Sequence, residues 1–336
     1  MDRIYKIIWL VLISAILLSC SRNPLKIDIS GIQEEVRIIR FEQELIKWGT
    51  HPGWEELTAL RDEHPDFTDL FTDLIIRIGM LDNEEAVNGI HAFLTDTMIQ
   101  SVYRLTEEQF EDFRKIEDDL VKAFKHYRYY YPERPLPDIY TCISGFNESA
   151  FVAEGFIGIS LDKYLGNQTA YYTMLGIPRY KQRKMVPEMI PADVVYVWAM
   201  GEFNPGNKTV TVLDHIIHEG KLLYFMEAMM PEAPDSIITG FTAAQVEWCR
   251  NNEPQMWTFL IEKELLYSTK QMDIVRYIND GPQTSGFPQE SPGRTGTWIG
   301  WQIIRKYMKR NPEVTLNQLM ENTNYQEILN SSAYLP

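Results

Sequence analysis

His215, His218 and Glu219 lie close together in the chain, and Glu253 follows further on, directly after Asn252. On a helix, His215 and His218 would share a face, because residues three apart are neighbours there. Neutral imidazoles suit zinc, and a carboxylate beside the metal can act as general base toward bound water. Glu253, from a second helix, would complete the three protein ligands that catalytic zinc usually takes. The residue four after His218 is Leu222, whose side chain cannot ligate a metal. His215 is thus the neighbour that could supply the second imidazole. Arg294 is a planar fork suited to a carboxylate or phosphate. It either folds over this helix toward Glu219 or Glu253, or is a surface arginine beside a packing helix.

The pattern partly resembles the zincin motif, in which histidines at i and i+4 hold zinc and the glutamate between them activates water. Without the second histidine, three readings stand: a variant catalytic site with Glu219 as base and His218, Glu253 and His215 as ligands; a weak, non-catalytic metal site; or a buried polar cluster without metal. The third is the expectation, so no cofactor is assigned and zinc remains the alternative. In a degenerate site Leu222 should pack against apolar groups, and His218 should hydrogen-bond to protein. Glu219 should then be charge-paired or hydrogen-bonded, with Arg294 the first candidate partner and Lys221 a poor one.

The helix expected over residues 211–229 must position these groups. Leu213, Ile216, Ile217, Leu223 and Tyr224 cover one side, and Leu222, Phe225, Met226, Met229 and Met230 most of the other. Asp214 and Lys221 form a narrow polar strip. A helix apolar nearly all round is buried, and burying His218 and Glu219 without partners is costly. Upstream, residues 34–131 read as helical, with a capping box at Thr106 and Gln109 opening a helix to about Tyr127. Residues 138–143 and 155–161 read as strands joined through a turn or hairpin loop at 145–150. Residues 166–192 look irregular, and a helix is expected over 192–202. Further helices are expected over 242–251, 253–267 (Pro254 in its first turn), 297–309 and 315–321, with 268–295 as loop. Gly296 and Gly300 bracket Trp298 and allow close backbone approach. The expected fold is α+β, mostly helical, with a small sheet and a buried central helix in a zincin-like (gluzincin-like) arrangement.

Composition bounds the partners. The 336 residues are 45% hydrophobic and 24% charged, which excludes wholesale disorder, coiled coil and collagen. With 32 Lys plus Arg against 47 Asp plus Glu, the net charge is -15. Nucleic-acid binding is excluded, because the counterion release that drives it needs a basic face. Arg3 and Lys6 precede an apolar run at 7–18, shorter than the roughly 20 residues a membrane helix needs. That suits a secretory signal. Leu17-Leu18-Ser19-Cys20 resembles the lipobox of bacterial lipoproteins, which implies cleavage before Cys20 and acylation (palmitate) of it. Ser21 is not the aspartate linked to inner-membrane retention. An outer-membrane, periplasm-facing lipoprotein is therefore expected, attached to the membrane through lipid on Cys20. Cys142 and Cys249 either pair in an oxidising compartment or are buried as small hydrophobes.

His218-Glu219-Gly220-Lys221, Trp257 and Leu265-Leu266-Tyr267-Ser268 resemble the gliding-motility lipoprotein GldB family of Bacteroidota. So do Ser291-Pro292-Gly293-Arg294, Trp298-Ile299-Gly300-Trp301-Gln302-Ile303, Ile143-Ser144-Gly145-Phe146, Leu161-Asp162-Lys163-Tyr164-Leu165-Gly166 and the terminal Ser332-Ala333-Tyr334-Leu335-Pro336. The resemblance covers essentially the whole mature chain. It implies a role in gliding or the associated secretion machinery, envelope proteins as partners, and a distant likeness to zinc peptidases in which a missing second histidine is tolerated. The expected organisation is a signal peptide at 1–19, a lipidated tether at 20–30, a helical subdomain at 31–135 and a zincin-like subdomain at 136–336, the last two packed as one unit.

Overall fold

A computed structural model describes residues 23–33 and 35–336. The signal peptide, the lipobox and Cys20 lie outside the described residues, as does Glu34.

The chain enters with strand β1 (Ile38–Arg40) and runs through helices α1 (Phe41–Ile46), α2 (Trp54–Glu63), α3 (Pro65–Leu70), α4 (Glu84–Thr95), α5 (Thr97–Gln109) and α6 (Arg114–Tyr130). Strands β2 (Asp138–Cys142), β3 (Ala150–Ala153) and β4 (Phe156–Ser160) follow. Next come the short α7 (Ala170–Met174) and α8 (Arg179–Gln182), then α9 (Ile190–Glu202), α10 (Val212–Met229), α11 (Asp235–Thr239) and α12 (Ala243–Glu262). The described chain closes with α13 (Gln271–Ile278), α14 (Thr295–Arg310), α15 (Leu316–Glu321) and α16 (Tyr325–Ser332). The protein is mostly helical α+β.

The sheet has order β1-β2-β4-β3. The first three strands are parallel, and β3 runs antiparallel to β4 at the edge. β1 comes from the otherwise helical amino-terminal part, so one sheet joins both parts of the chain. β-Branched and aromatic residues hold it: Ile139 and Ile157 are paired and buried, and Phe67 stacks on Tyr140 at 4.2 Å. Opposite Phe151 stands Gly158, where a Cβ would come within 2.0 Å of the Phe151 ring. The bare glycine leaves that ring its place across the strand.

Several sequence expectations need correction. The region read as helical over 34–131 contains β1. Thr106 and Gln109 do not open a helix: they end α5, whose true cap is Asp96, accepting from Met98 and Ile99 N–H. Thr106 is buried, so it is not free to act as a solvent-facing cap. The two expected strands are parallel neighbours, not a hairpin, and the turn between them contains part of β3. Pro254 lies inside one continuous α12 rather than in a first turn. The stretch 268–295 contains α13, and α16 follows α15.

The central helix is as expected. Thr211 caps α10 by accepting from Asp214 N–H, and the Thr211 N–H donates in turn to the Asp214 carboxylate. Ile216, Ile217, Leu222, Leu223 and Phe225 are all buried. Lys221 departs from its assignment to a polar strip: it is 1% exposed. Its ammonium donates to Met320 and Asn322 carbonyls, each at 2.8 Å, at the end of α15. A cation satisfies the carbonyls that a helix leaves unpaired there. α14 crosses α10 backbone against backbone at Gly220 and Gly300.

Cys142 and Cys249 are both free and buried, which settles their pairing. Burial holds both thiols well above their ordinary range, and a neutral thiol is a poor nucleophile. Native protein should therefore react very slowly with a thiol reagent, and unreduced denatured protein should release both thiols. Failure to detect them after denaturation would contradict the buried-hydrophobe role.

Candidate functional site

The groups singled out by type and spacing separate into two clusters on α10 and a third around Glu253. Glu219, on the partly buried side, accepts from Tyr196 Oη at 3.0 Å. Tyr196 comes from α9, which packs along α10. Enclosure pushes the Glu219 carboxyl up, while the Arg294 charge and the tyrosine bond pull it back. Glu219 is hydrogen-bonded, but its direct partner is Tyr196 and not the first candidate Arg294, which acts on the carboxyl only through space. Arg294 Nη2 donates to the Thr239 carbonyl at 2.5 Å, and its Nε lies 4.0 Å from Asp280 Oδ1. Arg294 precedes α14 in the left-handed conformation, φ 49°, which costs a non-glycine residue free energy. That backbone turn and the Thr239 bond together fix the guanidinium.

A wider charge network surrounds the pair. Asp193, one helical turn before Tyr196, accepts from Tyr164 Oη at 2.8 Å. Burial pushes its carboxyl up; Tyr164 and the charges of Lys184 and Arg294 oppose that shift. Lys184 is ion-paired with Asp280. Arg294 thus sits among Glu219, Asp193 and Asp280, with Lys184 and Arg183 as the neighbouring cations. Such a network is costly to break, because removing one partner strands a buried charge. The sequence reading missed Tyr196, Asp193, Lys184 and Asp280. The spacing of Asp193 and Tyr196, on one face of an apolar helix, was the available signal; Lys184 and Asp280 gave none.

His218 faces elsewhere. It is 9% exposed, and its Nδ1 is buried without a hydrogen-bond partner. The expectation of a protein hydrogen bond fails at that nitrogen. Burial, followed by the nearby charges of Lys221 and His215, pushes the imidazole down to about 4. Half-buried His215 is also lowered by burial. Leu222, 1% exposed, belongs to the apolar core as expected.

Glu253 is fully engaged with groups other than these histidines. Trp298 Nε1 donates to its Oε2 at 3.0 Å, and Tyr334 Oη donates to its Oε1 at 2.9 Å. The Trp257 ring meets Tyr334 edge-on at 5.2 Å. Glu253 therefore ties α12 to α14 and to the carboxy-terminal residues. Among the described residues His215, His218 and Glu253 do not form a set of three ligand atoms within 4.8 Å. The gluzincin-like donor set is therefore not assembled for zinc in this geometry.

The family model described as gliding motility protein GldB matches residues 22–336, nearly the whole chain. No curated protein and no solved structure matches.

Proposed function

The chain belongs to the gliding motility protein GldB family, and from that premise we propose a lipid-anchored envelope protein that supports gliding, or its associated secretion machinery, through protein contacts rather than catalysis. The anchor is lipid on Cys20, and the folded part faces the periplasm from the outer membrane. In this reading, the α10 helix with its His-Glu pair and the α12 helix with Asn252-Glu253 are inherited from a zincin-like ancestor whose site has lost its chemistry.

The observation that carries the non-catalytic reading is the fate of the two carboxylates. Glu253 has both oxygens hydrogen-bonded by Trp298 and Tyr334, and Glu219 is held by Tyr196 beneath the Arg294 charge. Each group works as a structural acceptor. A zincin-type base needs instead a carboxylate oxygen free to take a proton from water held at the metal.

The test uses the full lipidated chain, both purified and returned to a gliding bacterium that lacks its own copy. Glu219→Gln should sustain gliding, because the amide still accepts from Tyr196, whereas Cys20→Ala should abolish membrane attachment and gliding. Stoichiometric zinc lost on His218→Ala, or peptide hydrolysis lost on Glu219→Gln, would replace this reading with the metallopeptidase one.

A further inference from the structure

A different set of ligands converges near the amino-terminal end of the sheet. Glu44 on α1 and His64, which links α2 to α3, approach with Oε2 and Nε2 2.9 Å apart. Glu63, the last residue of α2, completes the set: one ligand atom from each residue lies within 4.8 Å of the other two. His64 is 4% exposed, whereas Glu63 is exposed and Glu44 intermediate. A rigid imidazole is thus presented to the surface beside two carboxylates that can move.

We propose that Glu44, Glu63 and His64 bind a divalent transition-metal cation of the zinc type. Two carboxylates and a neutral imidazole offer two negative charges to a doubly charged ion. The imidazole favours zinc over calcium or magnesium, which prefer all-oxygen shells. Zinc bonds of about 2.0–2.2 Å to nitrogen and oxygen hold neighbouring ligand atoms somewhat over 3 Å apart. Glu44 and His64 already approach that separation, and rotation of the exposed Glu63 side chain closes the rest.

The other face of the imidazole supports the assignment. His64 Nδ1 lies 3.2 Å from Tyr140 Oη, a buried hydroxyl on β2. Without metal, Nε2–H donates to Glu44, so Nδ1 accepts from the tyrosine. A cation held at Nε2 needs the lone pair there, so the neutral ring changes tautomer: Nε2 gives up its proton to water, Nδ1 takes one from water, and no proton is released overall. Nδ1–H then donates to Tyr140, an outer-shell bond of the kind that orients metal-bound histidines. Tyr140 can serve both states because a hydroxyl donates and accepts. Asp66 and Asp138 add negative charge around Tyr140, while Arg37, paired with Asp138, opposes it.

This site is separate from His218, and the proposal does not rest on the non-catalytic reading of α10. Zinc titration of the metal-free full chain, followed by calorimetry, should give one bound ion per chain, undisturbed by equal magnesium or calcium. Glu63→Gln and Glu44→Gln should each weaken binding at least tenfold, and Tyr140→Phe by about 10–100-fold. His218→Ala should leave the affinity unchanged. Nitrogen NMR of the His64 ring should show the proton moving from Nε2 to Nδ1 as zinc is added. Glu63 is exposed, so its variant tests ligation without unfolding the chain. No zinc binding, unchanged affinity in Glu44→Gln/Glu63→Gln, displacement by calcium, or loss of binding on His218→Ala would each overturn the proposal.

Discussion

Replacing Gly300 with alanine should cost more than about 4 kcal/mol, beyond the 1–3 kcal/mol typical of an overpacked core. A Cβ at Gly300 would lie 1.8 Å from the Ile216 carbonyl oxygen, and one at Gly220 would lie 2.2 Å from the Gly300 carbonyl carbon. Both obstacles are main chain inside long helices, so no side-chain rotation relieves them. α14 would have to lift away from α10, opening the packing around Trp298, Trp301 and Ile216, all at most 1% exposed. A domain holds roughly 5–15 kcal/mol of net stability, so the variant should be scarce in cells and unfold at far lower urea. Gly31→Ala, where nothing lies within 4 Å of the added atom, should stay within about 0.5 kcal/mol of the parent. Equal urea midpoints for Gly300→Ala and the parent would refute the close crossing.

That crossing was legible because glycines spaced along an aromatic helix signal close approach. The central helix was legible because its apolar residues recur on nearly all sides at helical spacing. Polarity misled at Lys221: its type suggested solvent, but the carbonyls that bury it come from α15, about a hundred residues away. Glu253 failed for the same reason. Its distance from His218 along the chain fits a metal site, yet its hydrogen-bond donors Trp298 and Tyr334 come from α14 and the carboxy-terminal residues. β1 and β3 have only three and four residues, too few for alternation to register. Their strand character comes from pairing with β2 and β4. Local pattern therefore revealed which helix is buried, but not which distant groups satisfy its polar side chains.

Acid should destabilise the protein through His218, by up to about 3 kcal/mol between pH 6.5 and 4. The folded imidazole sits at about 4 instead of the ordinary 6.5, with burial the leading cause. Between those values the unfolded chain binds a proton at His218 that the folded chain refuses. Stability therefore rises with pH across that window and is lost as pH falls through it. Below about 4 the loss from this residue is complete. Glu219, Asp193 and Asp162 act in the opposite direction, because burial raises their carboxyls and favours the folded state when they are protonated. His126 and His215 act in the same direction as His218, since burial lowers both. The contribution of His218 alone is isolated by subtraction. Urea unfolding of the parent and of His218→Gln, at steps from pH 7 to pH 4, should give lines that diverge below pH 6.5, with the variant losing less stability. Because Nδ1 has no partner to lose, the two proteins should be nearer in stability at pH 7 than the usual cost of breaking a buried hydrogen bond. Parallel lines across the whole range would mean that the imidazole charges freely in the folded state, and so that it is not enclosed on α10 as described.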